Sequence, residues 1–337
     1  MDGEDPSTCA AGGIVMYFDA HSDILTHVTI KRLEGEKDVF RKYHLERLKK
    51  GNVSGMILAV WIDPPYTNEP TYRMLQVLGA MSEEIENMKD LAEVVYEYKD
   101  MSRIRSQGKI AVILGMEGMS GLCGNVSLIS MLYRLGIRHG MLTWNEENEF
   151  ATGVGSPNKD RGLTPLGIQA VRKMEELGMI IDVSHANEKT FWDIYENTNK
   201  PFIASHSNVY NLCKVARNLK DDQIKAIAER GGVIGVNAWP AFIDEVNPSV
   251  EKLARHIDYI AELVGIDYVS FGFDFCDFLA GTTAAALLDG ETSATKGLED
   301  ASKIPDFVEL LVKRGYSDED IQKIAYGNIE RVIKEIL

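Results

Sequence analysis

The chain has 337 residues, is 45% hydrophobic and 26% charged, and carries a net charge of −15. That is ample apolar material for one large core. The acidic surplus argues against nucleic acid and anionic membrane as partners, because both would repel it.

Taken in chain order, residues 1–13 are small, polar and acidic. They lack the basic and apolar regions of a signal peptide and read as a disordered leader outside the fold. Apolar runs at 15–19, 55–61, 110–115 and 139–142 read as buried strands. Thr164 and Pro165 then form a helix start, an N-cap followed by proline at the first helical position. Leu166, Ala170, Val171, Met174 and Leu177 give that helix one apolar stripe, and Gly178 stops it. Two more strands read at 179–182 and 202–205. Asp221 and Asp222 sit where a helix start favours negative charge. Ile224, Ile227 and Ala228 follow at core spacing, and Gly231 and Gly232 end that helix. Runs at 233–237 and 268–272 complete the set of strands. The stretch 278–303 reads as a long loop, which in a compact domain is functional or mobile. Ser317 and Asp320 make a capping box ahead of Ile321, Ile324 and Ala325.

Continuous apolar strands separated by helices imply a parallel sheet covered by helices. Eight such units in this length predict a single catalytic domain over 14–337, an α/β fold of the (β/α)8 TIM-barrel type. An open doubly wound sheet is the rival, but no GxGxxG or GxxxxGK[ST] follows the first strand. Cys9, Cys123, Cys213 and Cys276 form no CxxC pair. They read as reduced thiols of a cytoplasmic protein rather than a zinc ribbon or redox motif. No apolar run reaches the length of a membrane span.

The chemistry lies in what ends each strand. The first runs into Asp19-Ala20-His21-Ser22-Asp23, and along an extended chain His21 and Asp23 point the same way. Others end in Gly115-Met116-Glu117-Gly118, Asp182-Val183-Ser184-His185, Ser205-His206 and Gly272-Phe273-Asp274. Three histidines and three carboxylates are therefore expected on the C-terminal rim, where barrel active sites lie. Imidazole and carboxylate are ordinary ligands of catalytic zinc. His21, Asp23, Glu117, His185 and His206 exceed what one open site needs, so two ions are expected, with Glu117 able to bridge them at about 3.5–4 Å. Gly115 and Gly118 would leave room beside Glu117 for a ligand or metal. Asp182 reads as structural, for example bonding a ligating histidine, and Asp19 reads either way. His27, His44, His139 and His256 read as surface or hydrogen-bonded core histidines.

These blocks, with Ala216-Arg217-Asn218-Leu219 and Gly297-Leu298-Glu299-Asp300, occur in the same order as in a known family. Over 17–332 the chain resembles the renal (membrane) dipeptidase family of the amidohydrolase superfamily. The resemblance implies two zinc ions, one held by His21, Asp23 and Glu117 and the other by Glu117, His185 and His206. It implies that Arg217 receives the terminal carboxylate of a dipeptide, for which a guanidinium fork is well shaped. Asp274 would be the proton shuttle, acting with the bridging Glu117 as the catalytic pair. Two cations would lower the pKa of water between them to give hydroxide, and would stabilise the oxyanion formed by its attack. Relatives often form homodimers, and microbial ones often take a D-residue at the C-terminal position.

One departure stands out. The family's animal members carry a histidine after Leu-Thr at the end of strand four, where this chain has Leu142-Thr143-Trp144-Asn145. Indole donates one N–H and carries no positive charge. Oxyanion stabilisation then falls to zinc, or to Asn145 or Asn148, and Trp144 becomes a packing residue or a wall of the substrate pocket. The ligand set alone also suits hydrolysis of a cyclic amide, lactam or ester, although Arg217 favours a substrate with a free carboxylate. A non-catalytic metal-binding protein is the alternative of another class, but retained ligands and acid–base groups have no evident reason to persist in one.

Overall fold

The structure, a computed structural model, describes residues 15–284 and 294–337. The expected leader and the middle of the loop expected at 278–303 lie outside the described residues.

The strands are β1 (Tyr17–Ser22), β2 (Val53–Trp61), β3 (Ala92–Val94), β4 (Ile110–Glu117), β5 (Ile137–Met141), β6 (Ile180–Asp182), β7 (Ile234–Val236) and β8 (Val269–Phe271). All pairings among them are parallel: β1, β2, β4, β5 and β6 follow one another, and β7 pairs with β8. The expected strand at 202–205 joins the two groups through single parallel bridges, Asp182 to Ile203 and Ala204 to Ile234. Its backbone bonds alternate sides: Ile203 N donates to Ile181 O (2.9 Å) and Ala204 N to Val233 O (3.0 Å). The ring closes between β8 and β1, where Phe273 N donates to the Asp19 carboxylate at 2.9 Å. The result is the TIM-type barrel that the strand count predicts.

β3 is an addition to the expected set. It lies along the first half of β4, Ala92 opposite Ile110 and Val94 opposite Val112, while β5 pairs only with the second half. At three residues around a glutamate, it is too short to show as an apolar run.

Alternation sorts the barrel's side chains into two cores. Phe18, Ala20, Ile57, Ala111, Ile113, Ile180, Ile203 and Val233 form an inner cluster. Ile329, Val332 and Ile333 of the C-terminal helix Asn328–Ile336 belong to it too, as does Tyr326, whose ring meets Phe18 edge-on at 5.7 Å. The larger cluster packs outward-facing strand residues such as Met56, Leu58, Val112 and Leu114 with residues of the surrounding helices. The helix Pro165–Leu177 begins and ends as its sequence dictates. The Thr164 side chain accepts from Gly167 N, and Gly178 turns the chain at φ 74°. Ala170, Val171 and Met174 are buried, whereas Leu166, expected on the same stripe, is 37% exposed in the first turn.

His27, His44, His139 and His256 are all buried and hydrogen-bonded. His256 shows the pattern fully: Nδ1 accepts from Val209 N (3.0 Å) and Nε2 donates to Ile243 O (2.9 Å), which fixes a neutral ring.

Candidate active site

His21, Asp23, Glu117, His185, His206 and Asp274 meet at the C-terminal rim of the barrel, each on or just past a strand end. Glu117 sits at the centre. Its Oε2 lies 3.3 Å from His21 Nε2, and its Oε1 lies 3.0 Å from His185 Nε2 and 3.6 Å from His206 Nε2. One carboxylate therefore faces two separate imidazole sets. His21 Nε2 is also 3.6 Å from Asp23 and 3.8 Å from Asp274. The approach of His21 to Asp23 does not come from strand alternation. Asp23 has left the strand (φ −90°, ψ 21°) and caps the helix Ile24–Leu33, so a turn brings the two side chains together.

The local backbone is bent to deliver these groups. His185 (φ 66°) and Asp274 (φ 58°) both lie in the left-handed region, which is costly for residues with a Cβ and clusters at functional sites. Gly115 and Gly118 make room, but not for a ligand. A Cβ at Gly115 would meet His139 Nδ1 at 2.3 Å, and one at Gly118 (φ 86°) would meet the Trp144 backbone nitrogen at 3.1 Å. Both glycines let β5 and its following loop approach β4.

The donor set fits divalent cations. His21 Nδ1 and Nε2, Asp23 Oδ1 and Glu117 Oε2 are buried with no hydrogen-bond partner. Buried polar atoms are normally paired. His185 Nδ1 donates to Asn145 Oδ1 at 2.8 Å, which leaves its Nε2 as a bare lone pair in the neutral ring. That lone pair lies 3.0 Å from a carboxylate oxygen and 3.0 Å from His206 Nε2, an arrangement a shared cation relieves. His206 is fixed in turn by Ser205 Oγ at 2.7 Å from its Nδ1. Ligand atoms of His21, Glu117 and His206, and of His21, Asp23 and Asp274, lie within 4.8 Å of one another in each group.

Electrostatics point the same way. Burial drives Glu117 and Asp274 well above the usual carboxylate range, and Asp23 beside them adds to the shift. Burial also opposes the imidazolium of His21, yet Glu117 and Asp23 hold its pKa well above the ordinary value. His185 and His206 are pushed far down, by burial first and then by neighbouring cationic groups including Arg217. A cation bound among these groups would invert that local logic.

Asp182 and Asp19 prove to be scaffolding. Asp182 does not reach a member of the cluster. Its Oδ2 is 2.8 Å from His139 Nε2, and its Oδ1 accepts from Ser184 N (2.9 Å) and Ser205 N (3.1 Å). Those two backbone groups immediately precede His185 and His206. Burial works against its ionisation, but these hydrogen bonds keep Asp182 below the usual carboxylate value. Asp19, at the β8 seam, is raised by burial to about 7.

The cluster opens into a cavity of about 210 Å³ lined by Trp61, Trp144, Asn145, His185, Trp239 and Asp274 among others. Asn148, expected to contact substrate, is absent from that wall. Its Nδ2 donates to Leu142 O (2.7 Å), and its Oδ1 accepts from Phe150 N and Ala151 N, so the amide is committed to shaping the loop. Arg217 lines an adjoining cavity of about 270 Å³ that shares His185. Its guanidinium donates to Ser207 Oγ (2.8 Å) and His206 O (2.9 Å), while Nε has no acceptor. Burial lowers its pKa to about 10.

A profile of the membrane dipeptidase family, peptidase family M19, matches residues 14–337. The chain belongs to that family. Among relatives of M19 members, dipeptidase aclJ of Aspergillus oryzae is 28% identical over 343 residues, covering 94% of this chain and 77% of the relative. The uncharacterized protein in the pqqA 5′ region of Klebsiella pneumoniae is 33% identical over 279 residues, covering 80% of this chain and 97% of the relative. Among solved structures, a Rhodobacter sphaeroides metallopeptidase liganded with a phosphinate mimic of L-Ala-D-Ala superimposes with a TM-score of 0.85 at 21% identity, covering 96% of this chain and all (100%) of that one. As an M19 member the chain is a metal-dependent dipeptidase. Despite the family's name, no helix among the described residues is long and apolar enough to cross a membrane.

Several residues of this M19 site escape a reading by strand ends alone. Asn237 donates from Nδ2 to Asp274 Oδ2 at 3.1 Å, and Trp61 and Trp239 wall the cavity. All three stand at or just past a strand end, so the same rim rule, extended from charged to amide and aromatic residues, would have found them. Cys276 also lines the cavity, its thiol pushed up by burial and then by Asp274 and Asp23.

Proposed function

We propose that this chain is a two-zinc dipeptidase whose substrates include L-Xaa-D-Xaa dipeptides. The observation that carries the metal count is the divided carboxylate of Glu117, one oxygen toward His21 and the other toward His185 and His206. His21, Asp23 and Glu117 would hold one ion, and Glu117, His185 and His206 the other. Imidazole with carboxylate is zinc chemistry. Bound there, the ions would supply Lewis acidity toward the peptide carbonyl and a lowered pKa for water. The phosphinate mimic of L-Ala-D-Ala bound by the Rhodobacter sphaeroides metallopeptidase supports the stereochemical assignment.

The chain's own residues divide the remaining work. Asp274, oriented by Asn237, takes a proton from the attacking water on a carboxylate oxygen and delivers it to the departing amine nitrogen. Arg217, held by Ser207 and the His206 carbonyl, takes the α-carboxylate of the substrate and so fixes the distance from that end to the scissile bond. Asn145 holds the His185 ring in the tautomer that presents Nε2 to the centre.

The test is metal analysis of the purified chain joined to hydrolysis of L-Ala-D-Ala and L-Ala-L-Ala. Near two equivalents of zinc are expected, with activity lost to chelator and restored by zinc. Asp274→Asn should lower kcat by roughly 10²–10⁴-fold, the usual worth of general acid–base catalysis, with metal content unchanged. Full turnover after complete stripping of divalent ions, or no dipeptide hydrolysed by the loaded protein, would overturn the reading.

A further inference from the structure

A small apolar cluster, separate from both barrel cores, surrounds the site. Ile30, Trp61, Cys276, Leu279 and Ala284 are its buried members, and Trp144, Trp239 and Phe278 pack against it half-buried. Three of the chain's four tryptophans thus stand around one cavity. The rings of Trp61 and Trp144 meet at 5.3 Å between centroids and 58°, forming a corner, and Trp239 lies 6.5 Å from Phe242 on another wall. The barrel itself does not need these indoles, since its inner cluster is built from aliphatic residues, phenylalanine and tyrosine. Large apolar surface left facing a cavity beside a catalytic centre marks a ligand-binding wall.

The charges around the two cavities orient a dipeptide between them. The tryptophan cavity also carries Asp23, Glu117 and Asp274. Arg217 lines the adjoining cavity, with His185 common to both. Phe242 stands between, part of the tryptophan cavity wall and 5.6 Å from the Arg217 guanidinium. A substrate whose carboxylate meets Arg217 and whose peptide carbonyl meets the centre around Glu117 and His185 places its N-terminal residue on the far side, among the tryptophans. From this polarity we propose that Trp61, Trp144 and Trp239 select dipeptides whose N-terminal side chain is aromatic or large aliphatic. The preference rests on the dipeptidase reading above and refines it. A methyl side chain would leave the indole faces uncovered, whereas phenylalanine or leucine covers them.

The experiment is a kcat/KM panel on the native, metal-loaded enzyme, so it needs no variant to fold. The X-Ala series takes X as Ala, Leu, Phe, Lys and Asp, and the Ala-X series reverses each pair, with L- and D-isomers at the C-terminal position. Phe-Ala and Leu-Ala are expected to exceed Ala-Ala by roughly 10–200-fold, the discrimination a hydrophobic pocket supplies per added group. Trp239→Ala should collapse the Phe-Ala to Ala-Ala ratio, a quantity that a general loss of stability would not move. A flat X-Ala series with selectivity confined to Ala-X, or Lys-Ala or Asp-Ala as the best substrate, would overturn the preference and leave the dipeptidase reading standing. Absence of turnover on every dipeptide would instead overturn that reading, and the preference with it.

Discussion

At the scale of single residues, the site is organised by carboxylates that do different jobs because of what surrounds them. Glu117 lies among imidazoles and carries an oxygen with no partner, so it is free to bind a cation. Asp182, only a few residues from His185, has both oxygens engaged by the scaffold: His139 on one, the backbone of Ser184 and Ser205 on the other. It positions the segments that carry His185 and His206 without reaching Glu117. Asp182→Ala should therefore leave His139 facing a void and release both segments. Leaving a buried hydrogen-bonding group without its partner costs about 1–3 kcal/mol. Losing the support behind ligands lowers metal affinity roughly 10–100-fold. Urea unfolding and competitive zinc titration would check the two effects, and unaltered zinc affinity would show that the ligands hold their places without it. Asp182 also marks the limit of reading residue types. Its class was legible, but its partner is His139 on the neighbouring strand, a pairing that only the barrel register creates.

At the scale of elements, helix boundaries were the most legible feature, because caps are local chemistry. Thr164, Pro165 and Gly178 act as their sequence positions predict, and Ser317 with Asp320 makes the reciprocal box, Asp320 N donating to Ser317 Oγ at 3.1 Å. Thr164→Ala should cost about 1 kcal/mol in stability, measured by urea unfolding, with the catalytic constants of the folded enzyme little changed. A loss far above that value would mean that its second bond, from Oγ1 to Glu149 O at 2.7 Å, anchors the loop as well. Strand limits were less legible. β1 and β4 extend past their apolar runs to include His21 and Glu117, because a hydrogen-bonded ladder continues through polar residues once neighbours are in place. The segment 202–205 shows the reverse: it is apolar enough to read as a strand, yet it pairs through single bridges on each side.

At the scale of the molecule, burial of neutral histidines makes the fold sensitive to acid. Burial lowers the pKa of His27 and of His256 to about 4, and holds His44 far down as well. The native state keeps these rings neutral, while the unfolded chain protonates them near the ordinary value. Their contribution to stability is therefore complete above about pH 6.5 and is lost as pH falls toward about 4. For His256 the loss at pH 5 is on the order of 2 kcal/mol. Chemical unfolding at pH 7 and pH 5 should show a steeper decline in the native chain than in His256→Gln, and equal declines would sink the explanation. The His256 ring is held between Val209 N and Ile243 O, so its neutrality is built into the packing of helix Val250–Val264 on the barrel.

The alternation of buried strands and capped helices, the rim as the place for chemistry, and the residue types that meet there are legible in the amino-acid order alone. Those follow from local rules: side-chain periodicity, capping hydrogen bonds and the position of polar residues at strand ends. How those groups share one another emerges only in the folded barrel. The turn that brings Asp23 to His21 and the commitment of Asn148 to its own loop are local bends that the barrel rim holds in place, while the two faces of Glu117 and the gathering of three tryptophans depend on contacts between segments far apart in the chain. Such contacts leave no periodic trace, because barrel closure sets the distances and the sequence supplies only the atoms.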